Sequence, residues 1–423
     1  MPHPRTSRLT TQRIRVLFHV THLRRGGGIE SSLMSWLNIM DRELFSVGLS
    51  IAYPTEDLET VFRAQIPADT AVHVLGPEAW LSHCRQLKMA RTLKWPGLIY
   101  EELLLPQVRK RVFAQRARRI AADYDVVIDY DLSLVRFCAG LGKPLLGVRH
   151  FNFPAALRDK PRRYRSLAAY FQRYDAMIAI SHAMEEEGRA LFPMIADRIA
   201  MLYPGMDHDA IRRRAAQPAT GVPAGPYIVS VTRLEETQKD VATLIRAYAL
   251  LVHEHKVDET LLLVGHGRHQ GELEQLALAL GVRDRVTFLG FTPNPLPYMR
   301  QAQLMVLSSR FEGLPTVLIE GLILGKVLVS TDCPTGPREI LDGGRAGLLT
   351  PVGDAPALAA AMLQGLRDLG LRAKLSDAAL RHAEVFSVGA FRIALQSLLQ
   401  KLGIAGHGLP AVTGTERPGA ERF

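Results

Sequence analysis

The chain has 423 residues, of which 47% are hydrophobic and 22% charged, a globular mix that excludes disorder along the whole length. Its three cysteines, Cys84, Cys138 and Cys333, are too few and too scattered for a disulfide scaffold or a cysteine zinc module, which fits a reducing compartment. A net charge of +10 calls for an anionic partner: a phosphorylated ligand, nucleic acid or an acidic membrane surface.

Residues 1–15 are charged and precede no apolar stretch of signal-peptide length, and no run approaches the roughly 18 apolar residues that span a bilayer. A cytoplasmic protein is expected. A strand is expected at 14–20. It runs into Thr21-His22-Leu23-Arg24-Arg25-Gly26-Gly27-Gly28-Ile29-Glu30, with a helix-like run from Ser31. Glycines there let a ligand approach the backbone, and the helix start behind them favours an anion; a tight turn without a ligand is the other reading. The next strand, 47–52, is followed by Tyr53, Pro54 and Thr55, with no acidic residue where a dinucleotide ribose would need one. A nicotinamide cofactor is therefore disfavoured.

A strand at 71–75 precedes the most basic part of the chain. Residues 81–119 hold ten lysines and arginines against Glu101 and Glu102, interleaved with apolar and aromatic residues such as Trp95, Tyr100 and Phe113. Two readings stand: a segment lying on an anionic bilayer, or solvated helices whose apolar side packs on the body. No DNA- or RNA-binding motif accompanies the charge, so nucleic acid is not an expected partner.

Further strands are expected at 126–130, 145–148 and 177–180, the alternation with amphipathic stretches that marks a parallel sheet. Residues 212–226, RRRAAQPATGVPAGP, read as a linker. The pattern then restarts with strands at 227–231, 261–264, 286–289, 304–307 and 327–330 and helices such as 241–253 and 271–280. The expected fold is α/β: two doubly wound domains, 1–211 and 227–387, joined by the linker, with ligands beyond the carboxyl ends of the strands. Residues 404–423 lack apolar periodicity and are expected to be disordered.

In the second half, strand 227–231 ends in a loop carrying Arg233 and Lys239, two cations suited to a diphosphate. The richest segment is Ser308-Ser309-Arg310-Phe311-Glu312-Gly313-Leu314-Pro315-Thr316-Val317-Leu318-Ile319-Glu320-Gly321. Pro315 suits a first helical turn, and amides at 314–317 suit phosphate oxygens. Glu320 lies in an apolar run, where a carboxylate is costly unless a partner such as a ribose diol donates to it. Glu312 could accept from a sugar hydroxyl. The competing reading is a buried salt bridge for Glu320 and an exposed Glu312.

This region resembles the E-x7-E segment of glycosyltransferase family 4, the retaining GT-B enzymes. Supporting motifs are V-T-R-L-x4-K-D at 231–240, L-L-V-G-H-G at 262–267, F-L-G-F-T-P-N-P at 288–295, S-T-D-C-P-T-G-P-R-E-I-L at 330–341 and G-L-L-T-P-V-G-D at 347–354. The resemblance implies facing Rossmann-like domains, the first for the acceptor and the second for the nucleotide sugar. A C-terminal helix at 388–403 would cross back. It implies Arg233 and Lys239 at the donor diphosphate, Glu320 on the ribose and Glu312 near the donor sugar. Gly313, Leu314, Pro315 and Thr316 would contact sugar and phosphate, and Phe291 would lie beside the base. In the first domain it implies the glycine loop, with Gly27 and Gly28, and His150 near the reacting sugar; a packed core histidine is the other reading of His150.

The implied activity is retaining transfer of a hexose or N-acetylhexosamine from a nucleotide diphosphate sugar, expected to be a UDP-sugar. The implied acceptor is a sugar or lipid-linked saccharide of cell-surface polysaccharide synthesis, met at the inner face of the membrane. No further cofactor and no metal is implied, because cations replace it. Of the Asp-x-Asp pairs, Asp125 is read as a strand start, and Asp129 and Asp131 as lining the acceptor cleft. The rival activities are a sugar-nucleotide epimerase of the same fold and a non-enzymatic nucleotide-sugar-binding protein.

Overall fold

The computed structural model describes residues 13–25, 28–78, 81, 94, 105–138, 140–150 and 161–404. Among them are two parallel sheets. The first contains β1 (Ile14–Val20), β2 (Phe45–Ile51), β3 (Ala71–Val74), β4 (Val126–Asp129), β5 (Leu145–Arg149), β6 (Ala176–Ala179) and β7 (Ile199–Met201), in the order β3-β2-β1-β4-β5-β6-β7. The second contains β8 (Tyr227–Val231), β9 (Thr260–Val264), β10 (Val286–Gly290), β11 (Leu304–Leu307), β12 (Leu328–Thr331) and β13 (Leu348–Thr350), ordered β10-β9-β8-β11-β12-β13. The three-residue strands β7 and β13 have no counterpart in the sequence reading.

Both faces of each sheet are covered, which is why the strands read as apolar runs rather than alternating ones. In the second sheet Tyr227, Val229, Leu262, Val264, Met305 and Leu307 face one core, and Ile228, Leu261, Leu263, Leu304 and Val306 face another. The first of these cores is continuous with that of the first sheet and includes Phe386, Phe391 and Leu395.

The chain passes between the lobes at two adjacent places. The Met206 amide donates to the Phe386 carbonyl (2.8 Å), and Met206 pairs with Ser387. Ser387 then caps the helix Val388–Lys401 by accepting from the Ala390 amide. This helix packs on the first lobe, with Phe391 against Trp36 at 4.8 Å between ring centroids and Arg392 paired with Asp41 at 2.8 Å. Residues 212–215, read from sequence as linker, are instead the last turn of the helix His208–Ala215. The adjoining connection lies on the second lobe, where the Thr220 carbonyl accepts from the Tyr298 hydroxyl at 2.6 Å.

Two glycines of the second lobe have a steric origin. A Cβ on Gly265, whose φ is +138°, would lie 1.9 Å from the Thr232 carbonyl oxygen, and one on Gly267 would lie 2.2 Å from that of Leu234. The loop after β9 is thus pressed onto the loop after β8. Gly265→Ala should destabilise the chain by more than about 3 kcal/mol, through clash and forced backbone conformation. Urea unfolding checks this; a change under about 0.5 kcal/mol, the size usual at an unconstrained surface site, would rule out the close contact.

Candidate active site

Strand order dictates where the site forms. In each sheet the order reverses between neighbours distant in sequence, β1 with β4 and β8 with β11, and loops leaving such a pair diverge to leave a crevice. In the second lobe the two loops are residues 232–240 and 308–315.

Lys239 and Glu312 meet across this crevice. The Lys239 ammonium lies 2.5 Å from a Glu312 carboxylate oxygen, and the two side chains are only 14% and 7% exposed. Ser309 donates a second bond to the same oxygen (2.6 Å). Glu312 is therefore neither exposed nor alone. Around the pair, Arg310 forms an ion pair with buried Asp240 (2.9 Å), and the Ser308 hydroxyl donates to the Lys239 carbonyl (3.0 Å). Asp240 itself sits in the left-handed region, with φ +46°. Arg233 is exposed, its guanidinium held toward this loop by Gln238 (3.0 Å). Asp240, Ser309 and Arg310 were not among the site residues expected from the sequence, although each stands inside a motif quoted there.

Pro315 is the N-cap of the helix Thr316–Ile323 rather than a residue of its first turn. Gly313, Leu314 and Pro315 are buried, whereas Thr316 is exposed. The amides of Leu314, Thr316 and Val317 donate to no acceptor among the described residues, as is usual at a helix start. The loop is backed by Thr335 and Gly336, both with positive φ (+59° and +91°). A Cβ on Gly336 would lie 2.6 Å from Pro315 Cδ and 2.9 Å from the Gly313 carbonyl oxygen. One turn into the helix, half-buried Glu320 has no salt bridge or hydrogen bond to its carboxylate among the described residues. Burial pushes its carboxyl up to about 7, and the positive charge of Arg214 opposes this. Phe291, after β10, is 59% exposed and meets the His266 ring edge-on at 5.8 Å.

In the first lobe, His150 follows β5. Its Nε2 lies 2.7 Å from the Tyr130 carbonyl. A carbonyl only accepts, so Nε2 carries the proton and Nδ1 is left as an acceptor. The ring rests on Tyr130 at 4.6 Å, and burial pushes its pKa down to about 4, so it is neutral at pH 7. Gly28 is the exposed first residue of the helix Gly28–Ile39, and a Cβ there would meet nothing within 4 Å; Gly27 lies outside the described residues.

Asp129 does not line a cleft. It is fully buried and accepts from the Ser133 and Leu134 amides (2.9 and 2.8 Å) and the Tyr174 hydroxyl (2.7 Å). Burial and the neighbouring Asp131 push its carboxyl up to about 7. Asp131 is partly exposed and joins the two first-lobe loops by accepting from the Thr21 amide (2.8 Å). Asp125 binds Arg15 at 2.7 Å just before β4.

Most of 81–104 lies outside the described residues. From Leu105 the basic segment is the helix Leu105–Ala121, whose apolar residues Phe113, Ala114 and Ala117 point inward. Arg109 also points inward. It is 4% exposed, bonded to the Leu81 carbonyl (2.6 Å) and set over the Tyr53 ring. Lys110, Arg111 and Arg119 face outward. No helix among the described residues is long and apolar enough to cross a membrane.

Two doubly wound lobes whose strand ends face each other, with a returning C-terminal helix, define a GT-B fold. Family comparison places the chain within that class. Residues 60–210 match the profile described as Glycosyltransferase Family 4, and residues 225–368 match that of Glycosyl transferases group 1. The lipopolysaccharide core biosynthesis glycosyltransferase LpsD of Rhizobium meliloti is 33% identical over 265 residues, covering 62% of this chain and 71% of that protein. The chain belongs to glycosyltransferase family 4. The N-acetylgalactosamine-N,N'-diacetylbacillosaminyl-diphospho-undecaprenol 4-alpha-N-acetylgalactosaminyltransferase of Campylobacter jejuni is 31% identical over 234 residues, 55% of this chain and 62% of that protein. The chain spans about 60% of the length of several curated relatives it matches. Among solved structures, Anabaena HepE in complex with UDP superposes with a TM-score of 0.69, covering 92% of this chain and 100% of its own, at 20% identity.

Proposed function

We propose that the protein is a retaining glycosyltransferase that moves a hexose or N-acetylhexosamine from a UDP-sugar to a saccharide or lipid-linked saccharide acceptor in cell-surface polysaccharide synthesis. The observation that carries this reading is the crevice between β8 and β11. There the Lys239–Glu312 pair stands in the same loop region as helix-start amides and a Glu320 carboxylate that have no partner among the described residues. A nucleotide sugar satisfies all three: its diphosphate meets cations and amides, and its ribose diol donates to Glu320. Solved HepE holds UDP and UDP-glucose, and the Campylobacter relative is named for a diphospho-undecaprenol acceptor, which supports the donor and acceptor classes.

The chemistry asks mainly for charge stabilisation. The bond from the anomeric carbon to the diphosphate oxygen breaks as the acceptor oxygen bonds to the same face of that carbon. The acceptor proton passes to the leaving diphosphate oxygen. Arg233, Lys239 and the amides of Leu314, Thr316 and Val317 take up the charge that develops there. Glu312 holds the Lys239 ammonium in place and accepts from a donor-sugar hydroxyl through its remaining lone pairs. His150, neutral, accepts through Nδ1 rather than acting as an acid. Lobe closure excludes water and presents the acceptor hydroxyl.

The test is a panel of nucleotide sugars, scored for released nucleotide with and without a lipid extract. Release that depends on the extract supports transfer. Epimerised donor with no release would establish the epimerase, and binding without turnover would establish a sensor. We also assign the outward charges of Lys110, Arg111 and Arg119 to an anionic membrane surface. At about 1 kcal/mol per basic residue, Lys110→Glu with Arg111→Glu should lower sedimentation with anionic vesicles by about tenfold or more. Unchanged sedimentation would make this an ordinary solvated helix.

A further inference from the structure

The segment from Pro334 to Glu339 touches both lobes. At one end it grips the proposed donor loop. The Pro334 carbonyl accepts from the Glu312 amide (3.3 Å), the Thr335 hydroxyl donates to the Glu312 carbonyl, and Gly336 lies against Gly313 and Pro315. At the other end Glu339 reaches into the first lobe. Its carboxylate accepts from the His182 amide (2.7 Å), the Ala183 amide (3.4 Å) and the Tyr203 hydroxyl. The two amides open the helix His182–Leu191, so a carboxylate there meets both unpaired donors and the positive end of the helix. Tyr203 stands just before the crossing at Met206 and packs on Phe386 at 4.8 Å.

The link between the two ends is short and stiff. Thr335 is β-branched yet has φ +59°, and Gly336 follows at +91°. Such a backbone persists only while its surroundings hold it. The helix Pro337–Ile340 carries Glu339, and the His382 ring donates to the Glu339 carbonyl (3.3 Å). A lobe movement that separates Glu339 from His182, Ala183 and Tyr203 breaks three bonds to its carboxylate, and the strained Thr335–Gly336 link carries that change to the segment that holds Glu312.

We propose that Glu339 is a positioning residue that makes lobe closure and placement of the loop at 312–315 a single event. The proposal rests on reading that loop as the donor site, and it names the residue that lets the second lobe register the position of the first.

The test uses Glu339→Ala and Glu339→Gln in the full chain. With Glu339→Ala, kcat for sugar transfer should fall about tenfold or more while the Kd for UDP stays within about threefold, because Lys239 and Glu320 are untouched. Glu339→Gln keeps an acceptor oxygen for the His182 amide and should recover most of the rate. Amide hydrogen exchange gives a readout independent of activity. In Glu339→Ala the Glu312 amide should exchange about tenfold faster, together with those of His182 and Ala183. Faster exchange confined to His182 and Ala183 would overturn the coupling. So would a kcat within about twofold of wild type, or a fall in kcat matched by an equal loss of UDP affinity. Absence of transfer by the wild-type chain would instead count against the proposed function, with the exchange measurement still deciding the role of Glu339.

Discussion

Lys239→Met is expected to lower sugar transfer about a thousandfold, the upper part of the range for removing one preorganised stabiliser of transition-state charge. It should also destabilise the fold by about 3 kcal/mol, because the buried Glu312 carboxylate loses its counter-charge. These two effects have different causes and can be separated. Glu312→Gln added to Lys239→Met removes the stranded charge, so stability should largely return while activity does not. Denaturant unfolding and transfer assays on the two single variants and the double variant form a closed cycle. Transfer at the wild-type rate by Lys239→Met would remove Lys239 from the diphosphate site. A stability cycle with no coupling would contradict the 2.5 Å contact.

Glu320→Gln should have opposite effects on stability and on binding. The Glu320 carboxyl titrates near 7 in the folded chain, against an ordinary value of 4.5. The folded state therefore holds this proton more tightly than the unfolded state does. The wild-type chain is most stable, with respect to this group, below pH 4.5. It loses stability as pH rises from there to about 7, and the loss is constant above that. At about 1.4 kcal/mol per pH unit the whole effect is about 3 kcal/mol. Glutamine carries no such charge, so Glu320→Gln should be more stable than wild type at pH 8 by up to about 3 kcal/mol and indistinguishable at pH 4. The same variant should bind UDP about tenfold to a hundredfold more weakly at pH 8, having lost a charged acceptor for the ribose diol. Unfolding at the two pH values and calorimetric titration with UDP check both halves. Equal stabilities at pH 8 would show the carboxylate to be well solvated, and unchanged UDP affinity would place the ribose elsewhere.

Much of the second lobe could be read from its sequence because its chemistry is dense and local. The cations at 233 and 239, the glutamates at 312 and 320 and the helix start between them lie at strand ends, and doubly wound topology brings strand ends together. What escaped the sequence has physical reasons. The strands β7 and β13 have three residues each, too short to show a period. Arg109 looked like one cation among many, yet it falls on the stripe Leu105, Arg109, Phe113, Ala117 and Ala121 that faces the core. That four-residue spacing was the available signal. Asp129 was masked by its motif. A carboxylate ending an apolar strand reads as a site residue, but here it serves the amides of the next turn and Tyr174. Glu339 stands inside the motif at 330–341, but nothing there shows its role, since the partners of its carboxylate are more than 130 positions away in sequence.

The two strands of chain that pass between the lobes lie side by side, joined at Met206 and Ser387. A single connector would leave the lobes free to swivel in any direction. Two fastened together act as a pair of pins on one edge of a door: the lobes can swing about the line through them, while twisting or sliding would tear the Met206–Phe386 bond. The strand ends of the first lobe thus meet those of the second in the same orientation each time the lobes come together, with one degree of freedom to search.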